Sequence, residues 1–254
     1  MTVKKKRVIA RLDVKNDDVI KGIHLEGLRK VGKPNELAKK YYQAGIDEIV
    51  FMDAVAAYYD RNSLLHIVKQ ACADVYIPIT VGGGIRSVGD IQQALAAGAD
   101  KVAINTQAIK TPEFIVKASQ IFGAQCIVLS IEAKRISLGK WEAYTDNGRE
   151  RSGLDVVSWA KLAERMGVGE VLVTSIDNEG TKKGFDECLV RAVADEVSIP
   201  VIASGGAGNL NHTSSLLSNP NVDAIAVASI LHYQITDVQS IKYHLDCQGV
   251  RVRI

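Results

Sequence analysis

Cysteine is scarce in this sequence, and long hydrophobic runs are missing from it. The four cysteines, Cys72, Cys126, Cys188 and Cys247, show no C-x-x-C spacing, which argues against a disulfide framework or a zinc site and favours a reducing cytoplasm. No run approaches the roughly 18 apolar residues of a membrane-spanning helix. A net charge of +2 is too small to favour nucleic acid or a membrane as a partner. We therefore expect a soluble cytoplasmic protein.

Eight short runs rich in Val and Ile are present instead, separated by helical patterns. This alternation is typical of parallel strands joined by crossover helices, and 254 residues is the usual length of a TIM (β/α)8 barrel. A doubly wound open sheet would need a G-x-G-x-x-G fingerprint, which the glycine clusters at 82–84 and 205–208 do not form. We predict one α/β barrel domain over 1–254, with strands at 7–14, 48–53, 77–82, 101–105, 126–131, 170–175, 200–204 and 224–228.

The two halves of the chain carry the same signals in the same order. The segment IPITVGGGI at 77–85 aligns without a gap with IPVIASGGA at 199–207, an offset of 122 residues. Further matched pairs are 11–15 with 130–134, 45–50 with 167–172, and 98–106 with 221–229. The repeat predicts two half-barrels, about 1–122 and 123–254, related by a near two-fold axis.

Two glycines, Gly84 and Gly206, occupy matched strand ends, on the side where such barrels bind their ligands. Backbone N–H groups next to glycine can cradle a phosphate, although a tight turn would also explain either glycine alone. Because the pair is repeated, we predict two phosphate sites and a ligand with a phosphate at each end. The neighbouring strand ends add Asn105, Thr106, Ala228 and Ser229 to these sites.

A second matched pair is acidic. Asp13 ends the first strand and Glu132 ends the fifth, so a closed barrel places them on opposite sides of its mouth. Two carboxyls facing each other across a substrate are suited to general acid/base chemistry, with one pKa raised by burial. The alternative is that both are ordinary ion-pair residues beside Lys15 and Lys134. The symmetric placement favours catalysis.

Several segments together resemble the cyclase subunit of imidazole glycerol phosphate synthase, an enzyme of histidine biosynthesis. They are LDVK at 12–15, VIKG at 19–22, TVGGGI at 80–85, ADKV at 99–102, LVTSID at 172–177 and IASGGAG at 202–208. The resemblance implies a lyase that forms a heterodimer with a class I glutamine amidotransferase, the glutaminase. Ammonia from that partner crosses the barrel and attacks a bis-phosphorylated ribulosyl substrate, with neither a metal nor a cofactor.

The resemblance also implies roles for particular residues. Asp13 is one of two catalytic carboxylates, Lys21 belongs to a mobile loop after the first strand that closes over substrate, and Gly180 joins the second phosphate site. Asp53, Asp177 and Glu179 are further candidates on the active face. A ring of charges at four strand starts is implied to guard the ammonia entrance, and its members are Arg7, Glu48, Lys101 and Glu170. The alternative is that these residues form simple stabilising ion pairs.

Glu132 and Glu179 depart from the family, which has Asp at both positions. The longer side chain shifts a carboxyl by more than 1 Å, a misplacement that can cost about 100-fold in rate. Two alternatives therefore stay open beside the cyclase. One is a paralogue from bacterial surface-polysaccharide synthesis that channels ammonia to a sugar-modifying enzyme, and the other is the related isomerase of the histidine pathway. A β-hairpin of unassigned role is also predicted around Trp141.

Overall fold

Eight parallel strands close into a barrel in the computed structural model, which describes residues 4–56 and 64–254. The strands are β1 Arg7–Lys15, β4 Glu48–Asp53, β5 Ile79–Gly82, β6 Lys101–Ile104, β7 Ile127–Ser137, β10 Glu170–Ser175, β11 Val201–Ser204 and β12 Ala224–Val227. They are hydrogen-bonded in the order β1-β4-β5-β6-β7-β10-β11-β12, and β12 pairs back to β1 with Arg7 opposite Ala224. The predicted TIM barrel is confirmed.

Four further strands form antiparallel extensions at the mouth of the barrel. The pair β2 Asp18–Ile23 and β3 Glu26–Gly32 follows β1, and the pair β8 Lys140–Thr145 and β9 Glu150–Asp155 follows β7. Because β8 pairs with the end of β7, that strand continues six residues past the predicted end at Ile131. The predicted hairpin around Trp141 is present.

Helices cover the outside of the barrel, and their first turns are set by side-chain caps. Ser87 and Asp90 form a reciprocal capping box, and Asp155, Asp186 and Asn209 each accept a hydrogen bond from a first-turn amide. None of the helices in the described residues has the length and apolarity needed to cross a bilayer. The helices are Pro34–Gln43, Leu65–Ala71, Val88–Ala96, Thr106–Lys110, Glu113–Phe122, Val156–Met166, Glu187–Ala194, Leu210–Leu217, Ser229–His232 and Val238–Cys247, with a 3₁₀ turn at Ala124–Cys126.

Strand side chains alternate between two apolar regions, as the two-residue period of a strand requires. One set packs outward against the helices, and the other fills the barrel axis with Ile9, Val50, Val128, Leu172 and Ile202 among its members. Apolar side chains therefore fill the middle of the barrel. The ionisable side chains of the interior lie in two separate layers, at the strand starts and at the strand ends.

Candidate active site

A cavity of about 180 Å³ opens at the carboxyl ends of the barrel strands. Asp13 from β1 and Glu132 from β7 both line it, as do Gly84, Asn105 and Thr106. The predicted acid pair and the first predicted phosphate site thus share one cavity. The strand ends deliver these residues together because all eight parallel strands point the same way.

Asp13 is buried and belongs to a network of cations. Its Oδ1 accepts a hydrogen bond of 2.8 Å from Arg11 Nε, and its Oδ2 lies 3.5 Å from Lys21 Nζ. Burial raises the pKa of this carboxyl, but Arg11 and Lys21 outweigh that effect and hold the pKa below its usual value. Asp13 thus forms ion pairs, as the alternative interpretation expected, but its partners are Arg11 and Lys21 and not Lys15.

Glu132 is equally buried but has no cation bonded to it among the described residues. Asn105 Nδ2 donates to its Oε2 at 3.1 Å, and the backbone N–H of Gly148 also donates to it. Burial raises the pKa of Glu132 to about 7, with Arg11 opposing the shift. Its alternative partner, Lys134, lies over the ring of Tyr144 at 5.7 Å instead. Asp13 and Glu132 are therefore suited to opposite proton-transfer roles.

The residues expected at the first phosphate site already have hydrogen-bond partners. The Asn105 amide donates to Glu132 and to the carbonyl of Tyr144, so that its two N–H groups already have acceptors within the protein. Thr106 Oγ1 accepts from the backbone N–H of Asp146 at 3.1 Å. A phosphate here would therefore rely on backbone N–H groups near Gly84, with the Thr106 hydroxyl as a further donor.

The residues expected at the second phosphate site line a separate, smaller groove at the carboxyl ends of β11 and β12. Gly180, Gly206, Ala228 and Ser229 all contribute to it, and Glu179 lies at its edge. Gly206 has φ of 105°, and a Cβ there would collide with the carbonyl of Gly184. Only glycine fits this position, and its lack of a side chain lets the backbone of Gly184 lie close to it at the groove.

The hairpin β2–β3 lies against the loop that follows β10. Lys21 and Glu179, both 3% exposed, form an ion pair, and His24 N donates to the carbonyl of Glu179 at 2.8 Å. A Cβ on Gly180 would collide with the carbonyl of Gly22 in the hairpin. Lys21, predicted to lie on a loop after the first strand, thus belongs to a β-hairpin that lies against one side of the mouth, and its mobility stays a prediction.

The two remaining acidic candidates lie in different places. Asp53 lines the cavity and its Oδ1 accepts from Val55 N at 2.9 Å. Asp177 accepts from the backbone N–H of Arg135 at 2.8 Å, which ties the loop after β10 to the extension of β7. Asp177 is therefore a structural anchor and lines neither of the two cavities described above.

The four charged residues at strand starts form a closed ring at the opposite end of the barrel. Arg7 donates to Glu48 at 2.6 Å and to Glu170 at 2.5 Å, and Lys101 donates to the same two carboxylates at 3.0 and 2.8 Å. Burial lowers the pKa of Arg7, but Glu170 and Glu48 outweigh it and the net shift is upward. Every cation in the ring therefore touches both anions, and the ring is neutral.

Two residues of the mouth were not identified from the sequence. Arg11 lies next to Asp13 inside the barrel. His232 Nε2 donates to the carbonyl of Arg11 at 3.1 Å, and its Nδ1 accepts from the Tyr41 hydroxyl at 2.8 Å. Burial and the nearby Lys21 lower the pKa of His232 to about 4, so the ring is neutral. The sequence did contain a sign of Arg11, because an arginine between Ala10 and Leu12 interrupts an otherwise apolar strand.

Comparison with known proteins identifies the family. The family model described as "Histidine biosynthesis protein" matches residues 7–237. The chain is also 61% identical, over 204 residues, to a protein of Legionella pneumophila named "Imidazole glycerol phosphate synthase subunit HisF", an alignment that covers 80% of this chain and 96% of that protein. The chain therefore belongs to the histidine biosynthesis protein family, in its HisF group.

Proposed function

We propose that this chain is the ammonia-dependent cyclase subunit of an imidazole glycerol phosphate synthase. Its substrate is a bis-phosphorylated ribulosyl compound held at the mouth of the barrel. The observation that carries the proposal is the shared cavity of Asp13 and Glu132, which also holds the first group of phosphate-binding candidates, while the second group lines a groove of its own. The name of the Legionella relative supports this activity over a subunit that only delivers ammonia and over the isomerase.

The two carboxyls divide the proton transfers between them. At neutral pH Asp13 is ionised and accepts a proton, while Glu132, with a pKa of about 7, retains a substantial protonated fraction and donates one. Ammonia adds to the substrate between them, and cyclisation and cleavage follow. The β2–β3 hairpin excludes water from this step. The duplicated half-barrels explain why a substrate with a phosphate at each end fits.

Ammonia enters at the ring of Arg7, Glu48, Lys101 and Glu170, at the amino ends of the strands. A glutaminase partner binds over that end, so that its product does not escape into solvent. The ring supports this role because its four groups satisfy one another and leave no net charge to hold an ion.

A turnover assay with the ribulosyl bis-phosphate and ammonium salt tests the proposal. We expect product from the wild-type chain without any partner, and a loss of at least about 100-fold in Asp13→Asn, which removes the proton acceptor. Asp177→Asn is the matched control because Asp177 lies outside the cavity, and it should keep turnover. Absence of product from the wild-type chain, together with tight binding of a glutaminase, would overturn the proposal in favour of ammonia delivery.

A further inference from the structure

Arg11 is a buried arginine inside the barrel, at the level just below the acid pair. Alternate residues of β1 face the axis: Arg7 belongs to the charged ring, Ile9 to the apolar interior, and Asp13 to the cavity. Arg11 lies between Ile9 and Asp13 in this series and is 3% exposed. It is the residue of β1 that separates the apolar interior from the mouth.

The contacts of Arg11 fix its guanidinium from three sides. Nε donates to Asp13 Oδ1 at 2.8 Å, and Nη1 donates to Thr174 Oγ1 at 2.7 Å and to Ser204 Oγ at 3.2 Å. Thr174 belongs to β10 and Ser204 to β11, so the guanidinium reaches from β1 to two other strands. A planar guanidinium held at these points has one orientation, and its Nε–H therefore holds the Asp13 carboxylate in one orientation as well.

A buried ion pair of this kind is poor support for a purely structural role. Removing two charges from water costs several kcal/mol per ion, and apolar residues of the same volume are often as stable or more so. The strand layer below Arg11 is filled by apolar side chains such as Ile9, Val50 and Leu172. A leucine or methionine at position 11 would continue that packing. The positive charge of Arg11 is therefore better explained by its contact with Asp13 at the mouth of the barrel.

We propose that Arg11 is the positioning residue for Asp13, which it holds by Oδ1 so that Oδ2 faces Lys21 and the substrate cavity. This inference rests on the proposed function, because it assigns Asp13 to the reaction. Arg11 also settles which carboxyl carries the negative charge. It touches Asp13 directly, whereas Glu132 is bonded to the neutral amide of Asn105. Loss of Arg11 would remove a direct cation contact from Asp13, whereas Glu132 has no such contact to lose.

The charged groups around Asp13 come from four elements. Arg11 lies on β1, Lys21 on β2, His232 on the helix Ser229–His232, and Glu132 on β7. Lys21 is shared with Glu179 and stands 3.5 Å from Asp13, and His232 is neutral at physiological pH. Arg11 is therefore the cation with the shorter contact to the Asp13 carboxylate, and Lys21 makes the longer one.

The variants Arg11→Met and Arg11→Lys test the inference, with Arg165→Met as the matched change at an exposed helical position. At a fixed concentration of free ammonia, we expect kcat of Arg11→Met to fall about 100-fold, as for an acid misplaced by about 1 Å, with little change in KM. The acidic limb of its pH profile should move to higher pH. Arg11→Lys should keep that limb in place, because the charge stays, while kcat remains reduced because the fork is lost.

A second measurement does not depend on turnover. The carboxyl of Asp13, labelled with ¹³C and assigned by comparison with Asp13→Asn, should titrate at higher pH in Arg11→Met than in the wild type. If Arg11→Met fails to fold, Arg11→Lys decides alone. Wild-type kcat in Arg11→Lys, or an unmoved Asp13 titration in folded Arg11→Met, overturns the inference. If the wild-type chain lacks turnover, but Asp13 titrates at higher pH in Arg11→Met than in the wild type, only the proposed function is overturned.

Discussion

Asp13 on β1 and Glu132 on β7 line the same cavity, and their surroundings shift the pKa values of the two carboxyls in opposite directions. Asp13 has a guanidinium bonded to it, whereas Glu132 has an amide and a backbone N–H. The difference in partners is sufficient to separate an acid from a base.

Glu132→Gln tests the role of Glu132 as the proton donor. An amide cannot supply a proton, so we expect kcat to fall about 100- to 10,000-fold, the usual contribution of a general acid. The wild-type rate, at fixed free ammonia, should decline as the pH rises through about 7, where Glu132 loses its proton. This limb should vanish from the residual rate of Glu132→Gln. An alkaline limb that survives in the variant would assign the titration to another group.

The same variant has a predictable effect on stability. The pKa of Glu132 rises from 4.5 to about 7 on folding, so stability contributed by its protonated form is lost as the pH rises through that window. Glu132→Gln removes this loss, which is on the order of 3 kcal/mol at most. In melting curves, the stability of the variant relative to that of the wild type should increase between pH 5 and pH 8. Glu150→Gln, on an exposed strand, should show no such trend.

Lys101→Met opens the charged ring and tests its role as the ammonia entrance. The change leaves Glu48 and Glu170 with Arg7 as their remaining partner in the ring. We expect turnover driven by glutamine and the glutaminase to fall about tenfold or more relative to turnover driven by added ammonium, which can reach the mouth from solvent. Lys39→Met, in an exposed ion pair, is the control and should leave that ratio unchanged. Equal losses in both assays would make the ring a purely structural feature.

Glu179→Gln should release the β2–β3 hairpin from the mouth. Removing one partner of a buried ion pair typically costs 3–5 kcal/mol, and here the hairpin can respond by opening locally. Amide exchange across Asp18–Gly32 should therefore accelerate, with KM for substrate rising because the cover is lost. Glu196→Gln, which breaks an exposed pair with Lys161, provides the comparison. Unchanged exchange in the hairpin would show that backbone contacts alone hold it closed.

The sequence, read together with the family resemblance, was sufficient to predict the barrel, its charged ring and the acid pair at the mouth, but not Arg11 or His232. Apolar runs of strand length separated by helical patterns depend only on local periodicity, and strand starts and ends then assign residues to the two ends of a parallel barrel. Arg7, Glu48, Lys101 and Glu170 could therefore be placed together, as could Asp13 and Glu132. The division into two half-barrels stays a prediction.

Only the tertiary structure decided which neighbours each of these residues has. The ion pair of Lys21 with Glu179, the hydrogen bond of Asp177 with Arg135 and the contacts of Arg11 with Thr174 and Ser204 all join segments far apart in the chain. Periodicity gives the direction of a side chain but not its partner. Since burial and partners together set a pKa, the separate charge states of Asp13 and Glu132 arise only in the folded barrel.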